Sequence, residues 1–265
     1  MRSLPHHSRR VRGALAALLT AGLLAQPACA EDPDGEAGRT LGSDIKGYFT
    51  SPLRWDRYDW AWFAGSLVAI GAAHHYDTQV RTHFLKLNGM PQSSKELPDF
   101  YPTFAVLGAT WLYAGLVDSS AGHEEVWNMV EAAGLSSVTA YVVKFATNRE
   151  GPDQTGDPNR WGHGGHSFPS EHSAASFAVG TVLAESGSDE FRWVRRLLGY
   201  GLGAGTSYLR LKHDAHWLSD TVAGAALGIA GARFVLKRSD PENEAHLGIE
   251  PVPGGAMLTY TRQGL

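Results

Sequence analysis

SYLRLKHDAHWLSDTVAG, residues 207–224, sets three chemically capable side chains in one short interval: Arg210, His216 and Asp220. On a helix, positions i and i+4 share a face. Asp220 can therefore accept from one ring nitrogen of His216 and leave the other free to attack. The apolar spacing predicts a helix over about 214–237, which puts His216 in its first turn. Unpaired backbone N–H groups there favour an anionic ligand. A His–Asp pair at this spacing also serves simply to hold a helix together, so the interval alone leaves both readings open.

Upstream, helical patterns over 55–74, 76–88, 100–118, 123–147, 171–186 and 189–209 follow one another without strand alternation. The expected fold class is all-α. It is a helical bundle of about six to seven helices with the active site at helix termini and a short extended C-terminal tail. Gly199, Gly201, Gly203 and Gly205, then Gly224, Gly228 and Gly231, lower helix propensity but let two helix axes approach closely. The longest break, 148–168, carries Gly151-Pro152, Asp157-Pro158 and Gly162 to Gly165, and reads as a loop. The economical division is a flexible lead-in over 31–50, one helical domain over 51–240 with its motif core at 123–237, and a tail over 241–265. Phe100 to Val117 is eighteen residues without a charge, the lower limit for spanning a bilayer. The other uncharged runs are shorter and mean hydropathy is −0.21, so peripheral and integral membrane association both stay open.

Residues 1–30 read as a signal peptide. Arg2, Arg9, Arg10 and Arg12 precede the uncharged run Gly13 to Ala25, and Ala28-Cys29-Ala30 supplies a cleavage site. The expectation is an exported protein, periplasmic or membrane-associated. Without those four arginines, 19 Lys and Arg stand against 27 Asp and Glu, a net charge of −8. An acidic body argues against a nucleic-acid partner. Cys29, the only cysteine, leaves with the signal, which excludes disulfide and thiol chemistry.

A second motif is Phe168-Pro169-Ser170-Glu171-His172, where proline and a small polar residue open an apolar helix with Ser170 as cap. Exposed N–H groups and the Ser170 hydroxyl would meet phosphate oxygens, and His172 could protonate a leaving alkoxide and then activate water. An ordinary capped helix explains the same residues. Lys144 stands in the last turn of a helix, where a cation commonly complements the dipole. His163, His166 and Asp157 read more simply as residues of an exposed loop than as metal ligands. His74-His75 with Asp77 reads as a polar helix end, and Trp55, Trp60 and Trp62 as core or interfacial anchors.

Taken together, Lys144 to Pro152, Pro169 to His172 and Arg210 to Asp220 resemble the type 2 phosphatidic acid phosphatase and vanadium haloperoxidase superfamily. Its signatures are Lys-x6-Arg-Pro, Pro-Ser-Gly-His and Ser-Arg-x5-His-x3-Asp. The likeness covers roughly residues 123 to 237. It implies a phosphatase acting on a phosphomonoester or diphosphate, of a small molecule or a lipid at a membrane surface, with no metal or cofactor. His216 would form a phosphohistidine, with Asp220 supporting it and His172 as acid and base. Lys144, Arg149, Ser170, the backbone at Glu171 and Arg210 would hold the phosphate oxygens.

The chain departs from the pattern at three places: Gly151 replaces the first arginine, Glu171 the glycine, and Leu209 the serine. Arg149 is the expected substitute cation, with Arg160 as a more distant one. Two rival readings follow: a catalytically degenerate, membrane-associated binding protein of the same fold, and a vanadate-dependent haloperoxidase.

Overall fold

A computed structural model of the chain describes residues 41–88, 97–117, 120–187, 191–239, 245–252 and 255–262. The expected signal peptide, residues 1–30, lies outside the described residues, as do residues 31–40 of the lead-in. The chain divides into two compact units, Met1–Arg54 and Trp55–Leu265. Described residues of the first form helix α1 (Leu41–Thr50) and a 3-10 turn (Ser51–Arg54), so the expected lead-in is helical over its last ten residues. The hydroxyls of Thr50 and Ser51 donate to the carbonyls of Lys46 and Tyr48, each at 2.8 Å, and close its C-terminal end.

The second unit holds α2 (Arg57–Asn88), a 3-10 turn (Leu97–Phe100), α3 (Tyr101–Val117), α4 (Ser120–Thr147), α5 (Glu171–Glu185), α6 (Arg192–Lys212) and α7 (Leu218–Ser239). The two helices expected over 55–74 and 76–88 are one continuous helix, α2. No proline interrupts it, and His74, Asp77 and Arg81 find partners in Asn159, Arg149 and Asp214. The polar helix end expected at His74-His75 is corrected accordingly.

Helix α5 is the axis of this bundle, packed against α4, α6 and α7. Its sequence is rich in Ala, Ser and Gly, and Ala174, Ala178, Val179, Val182 and Ala184 are fully buried. Small side chains let neighbouring backbones touch. A Cβ on Gly180 would overlap the Gly199 carbonyl, and one on Gly199 the Gly180 carbonyl, so α5 and α6 cross main chain to main chain. Gly224 and Gly228 of α7 lie against the Ser170 and Ala174 carbonyls in the same way. That seats α7 on the first turn of α5, the turn that carries His172. Gly201 and Gly205 meet nothing within 4 Å, so the expected role fails for those two.

Helix α7 begins at Leu218, later than the spacing suggests. Asp214 takes φ 53°, a left-handed conformation that cannot continue a helix. His216 therefore sits in the junction between α6 and α7 rather than in a first helical turn. The expected extended tail is an antiparallel hairpin of β1 (Ala245–Val252) and β2 (Gly255–Arg262), with Ala245 opposite Arg262 and Val252 opposite Gly255. Pairing satisfies backbone groups that a lone strand would leave open.

Candidate active site

The junction that carries His216 is held on three sides. Arg81 of α2 donates from Nε to Asp214 Oδ1 at 2.9 Å and from Nη2 to Asp214 Oδ2 at 3.0 Å and the Pro152 carbonyl at 2.5 Å. Ala215 N–H donates to the Arg210 carbonyl at 3.1 Å, and Ser170 N–H to the Asp220 carbonyl at 2.9 Å. The last bond joins the second motif to the third. The local shape thus comes from turn chemistry in one segment, a charge from α2 and a backbone N–H from the start of α5.

Behind His216, Nδ1 stands 3.5 Å from Asp220 Oδ2 and 3.5 Å from Ser167 Oγ. Asp220 Oδ2 accepts from Trp217 N–H at 2.9 Å and from the Ser167 hydroxyl, and Oδ1 accepts from Arg149 Nη1 at 2.5 Å. The carboxylate is oriented from both edges, which favours the tautomer with a proton on Nδ1 and a lone pair on Nε2. Burial pushes the His216 imidazole down to about 4; Asp220 opposes the fall, while Lys144 and Arg210 add to it. The ring is neutral at pH 7, the state a nucleophile needs.

A stability signature follows. The folded pKa of His216 lies below its unfolded value, so between roughly pH 6.5 and pH 4 the unfolded chain binds the extra proton. The contribution is complete above about 6.5 and is lost as pH falls toward 4. Urea midpoints measured from pH 7 to pH 4 should drop more steeply in the wild type than in His216→Gln.

In front, Lys144 is 8% exposed and donates from Nζ to the His166 carbonyl at 2.7 Å. Arg210, 3% exposed, donates from Nη1 to Asp99 Oδ2 at 2.6 Å, while its buried Nε has no protein partner. Phe100, the next residue after Asp99, stacks on the His172 ring with centroids 3.7 Å apart and planes at 24°. Consecutive residues of one short turn thus touch the cation of the third motif and the histidine of the second, which places those two side by side.

Two expected oxyanion contacts are placed differently. Ser170 caps α5: its Oγ accepts from Ser173 N–H at 3.4 Å and from the Ser173 hydroxyl at 3.2 Å, and the residue is fully buried. Its hydroxyl is turned into the helix. Arg149, also fully buried, is corrected from a phosphate cation to a strut. It donates to Asp220, Asp77, Ser219 and the Pro158 carbonyl, and its guanidinium lies 4.4 Å from the centre of the Trp161 ring. With two buried carboxylates beside it, a guanidinium is held there rather than facing an incoming anion.

Glu171 is the first residue of α5, where a negative charge suits the helix dipole. At Gly151, a Cβ would lie 3.6 Å from both the Ala215 carbonyl and Ser167 Oγ but only 2.6 Å from Asp153 Oδ1. A carboxylate thus stands where the first-motif arginine would start. Burial and then Asp214 raise the Asp153 pKa, against Arg210 and Arg81, which places it in the same electrostatic neighbourhood. Asp157 is spent locally, accepting from Asn159 N–H at 2.9 Å and Nδ2 at 3.1 Å.

Residues 125–243 match the family model described as the PAP2 superfamily. Over 113 residues the chain is 31% identical to a lipid A 1-phosphatase of Porphyromonas gingivalis, covering 41% of this chain and 23% of that relative. The match therefore spans under a quarter of that curated relative's length. A crystal structure of Aquifex aeolicus LpxE shows 22% identity and a TM-score of 0.36, covering 59% of this chain and 93% of that one. The matched segment holds Lys144, Arg149, His172, Arg210, His216 and Asp220. Asp77, Arg81, Asp99 and Phe100 lie before it and were missed by sequence reasoning. The one available signal was an aspartate, Asp77, within a long apolar helix.

Proposed function

We propose that the chain is a phosphohydrolase acting on a phosphomonoester or diphosphate, with a lipid phosphate as the preferred class. One observation carries the reading: Lys144, His172, Arg210 and His216, drawn from three distant segments, gather at one end of the bundle with Asp220 behind the nucleophile. His216 Nε2 attacks phosphorus, and the phosphorus–oxygen bond to the leaving group breaks as a phosphorus–nitrogen bond forms. His172 gives its proton to the departing oxygen. It then takes a proton from water, whose oxygen attacks phosphorus, releasing phosphate and regenerating the neutral histidine. Lys144 and Arg210 stabilise the equatorial oxygens, Arg210 exchanging Asp99 for phosphate. The chemistry is complete without a metal ion.

The lipid preference rests on the curated relative, named for lipid A, and on the surface of the bundle. A groove of about 1060 Å³ lies between α3, α4 and α6, lined in part by Pro102, Val106, Ala109, Leu198 and Leu202 and in part by Glu125 and Arg195. Pro102 stands two residues from the Phe100 that covers His172, so the groove leads away from the reacting end. Trp60, Leu67 and Val68 of α2 and Trp111, Leu112 and Leu116 of α3 are more than half exposed. Among the described residues one helix, Leu218–Arg238, is long and apolar enough to cross a bilayer, and half of its apolar window is buried in the bundle. We read the protein as exported and membrane-associated, the first from Arg2 to Ala30 and the second from this apolar surface.

Ala109→Trp should raise KM for a lipid phosphate in mixed micelles by about tenfold and leave turnover of p-nitrophenyl phosphate unchanged. Equal effects on both substrates would remove the lipid assignment. The degenerate-protein reading has its own support, since Asp153 occupies the approach to position 151 and Asp99 covers Arg210. Absence of phosphate release by the wild type from lipid and soluble esters alike would decide in its favour.

A further inference from the structure

We propose that Asp77 is a positioning residue for the nucleophile: acting through Arg149, it fixes the Asp220 carboxylate behind His216. The inference rests on the reading of His216 as nucleophile, and concerns a residue of α2 that lies outside the matched segment. Asp77 is 1% exposed, and a carboxylate so buried needs several donors. Oδ1 accepts from Ser219 N–H at 2.8 Å. Oδ2 accepts from Ser219 Oγ at 2.7 Å and from Arg149 Nη2 at 2.8 Å, and His74 Nδ1 stands 2.9 Å away. Ser219 is the neighbour of Asp220, so Asp77 grips the start of α7 directly and Asp220 through the guanidinium.

The guanidinium is what makes this more than a buried ion pair. Arg149 presents donors in a rigid planar fork, so fixing one edge sets the direction of the other. Nη2 is set by Asp77 and the Pro158 carbonyl at 2.8 Å, and Nη1 then meets Asp220 Oδ1 at 2.5 Å and Ser219 Oγ at 2.8 Å. With Oδ1 taken, Asp220 turns Oδ2 toward His216 Nδ1, 3.5 Å away. Charge matters as much as direction. Facing Arg149 alone, Asp220 would be largely neutralised; Asp77 shares that positive charge. Asp220 keeps enough of its own to stabilise the imidazolium that forms as His216 attacks. Two carboxylates on one guanidinium also leave the cluster able to absorb that new cation.

A merely structural Asp77 would change stability without touching turnover per folded molecule. The test is a double-mutant cycle on the full chain with p-nitrophenyl phosphate, scaled to the folded fraction from circular dichroism. Asp77→Asn should lower kcat by about 10- to 100-fold with KM held within about twofold. In an Arg149→Met background the same change should cost nothing further, since the route to Asp220 is already cut.

A kcat for Asp77→Asn within about twofold of wild type, or an equal loss in both backgrounds, overturns the proposal. If Asp77→Asn does not fold, Ser219→Ala, which removes one contact to each of Asp77 and Arg149 without changing charge, takes its place. Unchanged kcat in that variant is equally fatal. A wild type without phosphatase activity overturns the reading of the site itself, and this inference with it; an active wild type with an indifferent Asp77 overturns only the inference.

Discussion

His216→Gln should lower phosphate release by at least about 10⁴-fold, roughly 5.5 kcal/mol of transition-state stabilisation, in a protein whose circular dichroism is unchanged. Glutamine preserves much of the volume and one donor toward Asp220, so the junction between α6 and α7 should keep its shape. What it lacks is a nucleophilic nitrogen. The residue is 6% exposed and neutral, with Asp220 behind it and two cations in front, a setting that lowers the cost of forming a nitrogen–phosphorus bond. Residual turnover within about tenfold of wild type would move the nucleophile elsewhere.

Arg210→Ala carries the second large effect, in two separable parts. Removing the guanidinium takes away the proposed oxyanion partner, with an expected loss of about 10²–10³ in kcat/KM. It also strands Asp99, 2% exposed, with His213 Nδ1 at 3.2 Å as its one remaining side-chain partner among the described residues, which should cost about 3 kcal/mol of stability. The double variant Arg210→Ala/Asp99→Ala no longer buries an unpaired charge, so most of the stability should return while activity stays low. Urea unfolding and steady-state kinetics on the three proteins separate the parts. A double variant no more stable than Arg210→Ala would show that the Asp99 pair does not carry the fold at this point.

The all-α bundle and the order of its helices could be read from apolar spacing, because each helix answers mainly to its own residues. The break over 148–168 and the cap at Ser170 were legible for the same local reason. Junction details were not. Asp214 in a left-handed conformation delays the start of α7 and lifts His216 out of a helix, and the force that holds it there comes from Arg81, far away in sequence. Arg149 illustrates the deeper limit. From spacing alone it is a cation close to a missing arginine and so looks like a replacement. Only the fold brings Asp77, more than seventy residues upstream, against it and turns it inward. Asp99 and Phe100 were hidden likewise, since nothing local marks a Pro-rich connection as the cover of a distant arginine and histidine.

On the proposed reading, His216 carries the phosphoryl group. The most direct measurement is a rapid quench of the full-length His172→Ala variant with p-nitrophenyl phosphate, followed by mapping of the phosphorylated peptide. The p-nitrophenolate leaves without a proton, whereas hydrolysis of the intermediate lacks its base, so the phosphoenzyme should accumulate as an acid-labile, base-stable adduct on His216. Phosphate on another residue, or steady turnover with none trapped on protein, would contradict the account.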